Sequence, residues 1–205
     1  MKRVLLLALV LLAIPTAVLA AHAWASFHWP SDSLSPTVKD RTKSSLYDVP
    51  AAVAEWSAGP SISPVSSNKK GAITVKEASS TFWLGLARIF IDEDGHITKG
   101  EVLLNTRLLA SFGPAAADHV LCQELGHVLG LNHNRDSLNT CMNDTFDFLG
   151  SATSPDAHDF EQLALIYNHA DETAADDDNG GNGNNGRGGR NRAGHWVTVD
   201  IFPIP

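Results

Sequence analysis

The chain has 205 residues, 43% of them hydrophobic, and a formal net charge of −8 from 15 Lys plus Arg against 23 Asp plus Glu. That length and apolar content suit one domain with a sizeable core and an appendage. The acidic balance, with no basic patch in the first 170 residues, argues against a nucleic-acid binder and against anchoring on an anionic membrane surface.

In chain order, the first feature is a leader. Lys2 and Arg3 precede a wholly apolar run from Val4 to Ile14, and small residues follow at Ala17, Ala20, Ala21, Ala23 and Ala25. This is the pattern of a secretory signal peptide spanning residues 1–25. A membrane anchor, the competing reading, needs a run nearer ~20 residues, so no stable membrane insertion is expected. Export would bring Cys122 and Cys141, the only cysteines, into an oxidising compartment. Two readings fit them: one disulfide, stabilising by roughly 3 kcal/mol for a loop of this size, or two buried free thiols.

The domain proper is expected over residues 26–170. The polar stretch from Phe27 to Lys43, broken by Pro30 and Pro36, reads as an extended lead-in that contributes a strand. A helix is predicted from about Pro50 to Ser57, with Val49, Val53 and Trp56 at helical spacing, ended by Gly59, Pro60 and Pro64. Ala72 to Val75 and Leu84 to Ile91 read as strands. Asp94-Gly95 forms a hairpin turn into a further strand, Ile97 to Asn105, interrupted by Gly100. Asp92, Asp94 and Gly95 also supply the beginning of a calcium loop, without the remaining ligands of the full pattern. Pro114 opens a second helix running to about Leu129, with Gly130 placed to end it. A third runs from about Ser154 and Pro155 to Asn168. Residues 171–195, rich in Asp, Asn, Gly and Arg, have little apolar surface to bury and read as a flexible linker. Residues 196–205 are apolar and strand-like, and either dock back as an edge strand or form an interaction tail.

The chemistry is concentrated in Gln123-Glu124-Leu125-Gly126-His127-Val128-Leu129-Gly130-Leu131-Asn132-His133. Residues 123 and 127 are one helical turn apart, ~6 Å along the axis, so both side chains can reach one metal ion. Glu124 sits beside them. Gly130 lets the chain leave the helix sharply, so that His133 can swing back as a third ligand. Three protein ligands leave a fourth position open, as in catalytic zinc sites, where the water is acidified and a carboxylate serves as general base.

The segment resembles the metzincin signature H-E-x-x-H-x-x-G-x-x-H at Glu124, His127, Gly130 and His133. Met142, nine residues past His133, suits the methionine turn that the family places beneath its metal. The surroundings, over roughly residues 45–170, resemble the matrixin branch. The resemblance implies an α/β fold: a twisted mixed β-sheet with an active-site helix and a C-terminal helix. It implies a secreted zinc metalloendopeptidase that hydrolyses peptide bonds by a zinc-activated water with Glu124 as general base. The metal ligands would be Gln123, His127 and His133, and structural calcium is a further expectation carried by the matrixin likeness. A Cys122–Cys141 bond would tie the active-site helix to the Met142 turn. The expected partner is a protein or peptide substrate, extended across the cleft and paired with an edge strand, with the chain acting as a monomer.

One position departs from the signature. Gln123 stands where the family has its first histidine, and it offers only a neutral amide oxygen. Zinc prefers nitrogen and sulfur, so metal affinity should fall. His119, one turn earlier, lies ~6 Å too far along a regular helix to substitute. The alternative function is therefore a non-catalytic secreted binding module with a weakened metal site. A third reading, a structural or cell-surface protein, places the function in the linker and terminal strand. No cysteine precedes the domain, so latency by a cysteine switch is not expected.

Overall fold

The computed structural model describes residues 23, 27–145, 151–168, 171 and 194–204. The expected leader, apart from Ala23, and the expected linker, apart from Asp171, Gly194 and His195, lie outside the described residues.

Ten elements follow one another: β1 (Thr37–Asp40), α1 (Val49–Trp56), β2 (Val65–Ser66), β3 (Ile73–Glu77), β4 (Trp83–Asp92), β5 (Ile97–Leu104), α2 (Thr106–Phe112), α3 (Pro114–Val128), α4 (Ala157–Ile166) and β6 (Gly194–Pro203). The strands form one six-stranded sheet in the order β2-β1-β3-β5-β4-β6. β1 pairs in parallel with β2 and β3, and β3 pairs in parallel with β5. β4 runs antiparallel to both β5 and β6. The fold is thus α/β with a mixed sheet and helices packed on it, as expected.

Each element has a local cause. Asp48 caps α1 by accepting from the Ala51 amide, and Pro50 lies in the first turn. Val49, Val53 and Trp56 are buried, the face that their spacing predicts. Along β4, Ala87 and Ile89 are buried together with Gly85, which faces α3, while Leu86, Arg88 and Phe90 between them are half-buried. Gly100 does not interrupt β5. It pairs with Ile89, and a Cβ there would lie 3.1 Å from Val128 Cβ of α3, so the missing side chain brings helix and sheet together.

One expectation is revised and one open alternative is resolved. The predicted second helix is preceded by a short helix of its own, α2, capped by the Asn105 side chain. The positive φ of Gly113 (94°) separates it from Pro114. The terminal segment is an edge strand: β6 lies along the whole outer side of β4, from Asp92↔Gly194 to Trp83↔Pro203. Trp196 stacks on Phe90, with ring centroids 5.5 Å apart, and on the Arg88 guanidinium. Val199, Asp200 and Phe202 are buried. Among the described residues, the outer edge of the sheet on that side belongs to β6.

Candidate metal centre

α3 carries the site and is held from all sides. Trp56 Nε1 donates to the Cys122 carbonyl (3.0 Å) and Trp29 Nε1 to the Val128 carbonyl (2.9 Å). Its C-terminus closes as a paired backbone cap: Leu131 N–H reaches Gly126 O and Gly130 N–H reaches His127 O, both at 3.1 Å. Gly130 takes φ 106°, a left-handed conformation that glycine alone adopts without strain. The same turn leaves the Leu131 carbonyl 2.8 Å from His127 Nδ1. Nδ1 therefore carries the proton, and the Nε2 lone pair is turned toward the site. The helix terminator and the tautomer of the first histidine are one device. Complete burial pushes the His127 imidazole down to about 4, so the ring is neutral at ordinary pH.

His133 returns as expected. Its ring is edge-on to His127, with centroids 4.7 Å apart. Its Nδ1 faces Asp144 at 3.7 Å, and Arg135 grips that carboxylate through Nε and Nη2. Burial pushes Asp144 up, but Arg135 and His133 together outweigh it and hold the carboxyl low.

The third convergent donor comes from the far end of the chain. Asp200 of β6 places Oδ1 3.3 Å from His133 Nε2 and Oδ2 3.5 Å from His127 Nε2. The three side chains offer ligand atoms that all lie within 4.8 Å of one another. A tetrahedral ion with bonds of about 2.0–2.1 Å sets its donors ~3.3–3.4 Å apart. Burial raises the Asp200 carboxyl, yet the two imidazoles more than reverse this and keep it below its ordinary value.

Glu124 is completely buried, and neither carboxylate oxygen has a hydrogen-bond partner among the described residues. Burial first, and the Asp200 charge second, push its carboxyl well above the ordinary range. It lies under Gly85 of β4, where a Cβ would collide with Glu124 Oε1 and come within 2.5 Å of Val120 Cγ1. Two carboxyl groups, Glu124 with no hydrogen-bond partner among the described residues and Asp200 held below its ordinary value, leave buried negative charge and spare lone pairs beside the two imidazoles. A divalent cation satisfies both, so the residues fit the metal that the sequence signature implies.

Gln123 has a defined structural task. Its Nε2 donates to the Cys141 carbonyl and to the Asn143 carbonyl, each at 3.0 Å, bracketing Met142. Its Oε1 is buried without a hydrogen-bond partner among the described residues. An imidazole could not make both bonds, because one ring nitrogen carries a single proton and an amide nitrogen carries two. Met142 is fully buried, and its sulfur lies where a Cβ on Gly126 would be. Asn134 N–H donates to the Met142 carbonyl (2.8 Å), and Thr140 Oγ1 receives the Met142 amide while donating to Asp159 of α4. Cys122 and Cys141 form the disulfide, with Cα atoms 6.0 Å apart, joining α3 to this turn.

Other candidates fall away from the centre. His119 Nδ1 bonds the Ala152 carbonyl at 2.6 Å and its ring stacks edge-on against Phe202, so it packs β6 onto α3. Asp92 Oδ1 accepts the Asp94 and His96 amides, holding the hairpin turn at Gly95 (φ 85°). Sequence reasoning missed Asp200. The available signal was a lone carboxylate within the apolar run Val197 to Ile204.

No protein-family model matches the chain, and no curated protein matches it. Among solved structures it is similar to myroilysin, at 13% identity and a TM-score of 0.48, over 73% of this chain and 99% of that one. It is also similar to high choriolytic enzyme 1, a hatching enzyme zinc-protease from the medaka fish Oryzias latipes, at 14% identity and a TM-score of 0.41, over 73% of this chain and 98% of that one. At this identity neither neighbour assigns a role to a residue of this chain.

Proposed function

We propose that the chain is a secreted metalloendopeptidase whose zinc is held by His127, His133 and Asp200, with the Gln123 carbonyl as a weaker, displaceable donor. The observation that carries this reading is the convergence of two imidazole Nε2 atoms and one carboxylate beside a buried Glu124 that has no hydrogen-bond partner among the described residues. The anionic Asp200 supplies the donor strength that the neutral Gln123 lacks. Two histidines and one carboxylate leave room for substrate in the coordination sphere. When bound, the metal supplies Lewis acidity, polarising the scissile carbonyl and acidifying water. Glu124 takes the proton of the attacking water and passes it to the leaving amine. His127 is held in the right tautomer by Leu131, His133 is steadied by Asp144, and Gln123 fixes the floor at Met142. Asp200, set by the β4–β6 register, completes the ligand set. A peptide substrate would pair with the free edge of β6.

Export is supported by the leader sequence and by the disulfide. No described helix is long and apolar enough to cross a membrane.

A second reading has its own support. β6 lies over the outer edge of β4, and a strand in that place also suits a non-catalytic module whose cleft is filled. Glu124→Ala separates the two. The peptidase reading expects hydrolysis of a casein or peptide-library substrate to vanish while bound zinc is retained. Zinc binding by the wild-type chain without any hydrolysis supports the module.

A further inference from the structure

We propose that the chain has a second zinc site, formed by His28, His96 and Asp171, which clips the N-terminal lead-in to the β4–β5 turn and to the chain beyond α4. None of the three belongs to the centre built on α3.

The backbone sets the first pair. His28 and His96 form an isolated parallel bridge, and Ile97 N–H donates to the His28 carbonyl at 2.7 Å. Their rings are therefore neighbours, edge to face, with centroids 5.0 Å apart. Asp171 arrives from more than 70 residues away in sequence and sets one oxygen, Oδ1, 3.0 Å from His28 Nε2 and 3.4 Å from His96 Nε2. All three ligand atoms lie within 4.8 Å of one another. The 3.4 Å separation matches the ~3.3–3.4 Å edge of a tetrahedron around an ion bonded at about 2.0–2.1 Å, and the 3.0 Å separation, a hydrogen bond between His28 and Asp171, lies a few tenths of an ångström inside it.

The surroundings hold the donors in place. Ser31 N–H binds the other Asp171 oxygen at 2.6 Å, so the carboxylate is anchored before it meets the imidazoles. His96 Nδ1 faces Asp92 Oδ1 at 4.0 Å, an electrostatic neighbour beyond hydrogen-bond reach. Asp92 is itself fixed by the turn amides of Asp94 and His96. The three side chains keep 15–16% of their surface exposed, enough for a solvent ligand to complete four-coordination. Two imidazoles and one carboxylate select a borderline divalent ion such as zinc over calcium, which takes oxygen ligands. The role is structural: the clipped lead-in passes over the α3 terminator, where Phe27 O lies 3.1 Å from the position of a Gly130 Cβ.

The test is zinc stoichiometry by elemental mass spectrometry on the full chain, after loading with zinc and dialysis, with no reliance on peptidase activity. The wild type should hold two zinc ions, His96→Gln and Asp171→Asn one each, and His127→Gln/His133→Gln one. Added zinc should raise the melting temperature of His127→Gln/His133→Gln, and this rise should vanish when His96→Gln is added. One zinc in the wild type that survives His127→Gln/His133→Gln and leaves with His96→Gln supports this site while removing the α3 centre. Unchanged zinc content in both His96→Gln and Asp171→Asn, or complete loss of zinc in His127→Gln/His133→Gln, overturns the proposal.

Discussion

The segment that carries His127 and the strand that carries Asp200 reach the same point by opposite routes. Residues 123–142 form a nearly self-contained unit: a helix, its glycine terminator, a returning histidine, and a turn tied back by Gln123 and the Cys122–Cys141 bond. Locally, Asp200 is backed by the Ile201 amide, which does not bring it to the site. It reaches the site only because ten residues of β6 pair along β4 and bury Phe202 behind it. Half of the centre is built by short-range chemistry and half by a long-range pairing. The two halves should fail differently.

Breaking the long-range half should cost most. Phe202 is 3% exposed and stacks on His119, so Phe202→Ala should destabilise by about 3–5 kcal/mol. Denaturant melts should show it, with zinc affinity lost in step because Asp200 is no longer held. In the local half, Cys122→Ser removes the bridge across a sequence separation of 19, costing roughly 3 kcal/mol in the same melts. Gly126→Ala drives a methyl into Met142 Sδ and to 2.7 Å from Trp56 Cζ2, and overpacking of this kind costs about 1–3 kcal/mol. The smallest effect on stability belongs to Asp144→Asn. Its pair with Arg135 is largely exposed, so the melt should barely move. Zinc affinity should still drop about ten-fold, because His133 loses the carboxylate that steadies Nδ1.

The same contrast governs what the sequence revealed. The α3 unit was legible because its signals lie within a few turns of one another: the 123/127 spacing, Gly130, His133 and Met142. β3, β4 and β5 were legible from apolar runs and the Asp94-Gly95 turn. α2 was not, because its seven residues sit between a strand and a proline without a long period to betray them. Asp200 was not, because the partner of an edge strand is decided by register with a strand more than 100 residues earlier, which no local pattern encodes. Gln123 read as a weakened ligand. Its two bonds to the Met142 turn, visible only once Cys141 and Asn143 are folded beneath it, give the substitution a positive task.

The measurement that tests the central claim most directly is zinc affinity and peptide hydrolysis of Asp200→Asn, an isosteric change that leaves β6 paired. If Asp200 is the ligand that makes good the donor lacking at position 123, affinity should fall by roughly ten-fold or more and hydrolysis should be lost with it. Wild-type zinc affinity, or hydrolysis faster than wild type, would contradict the account and make β6 a plug in the cleft.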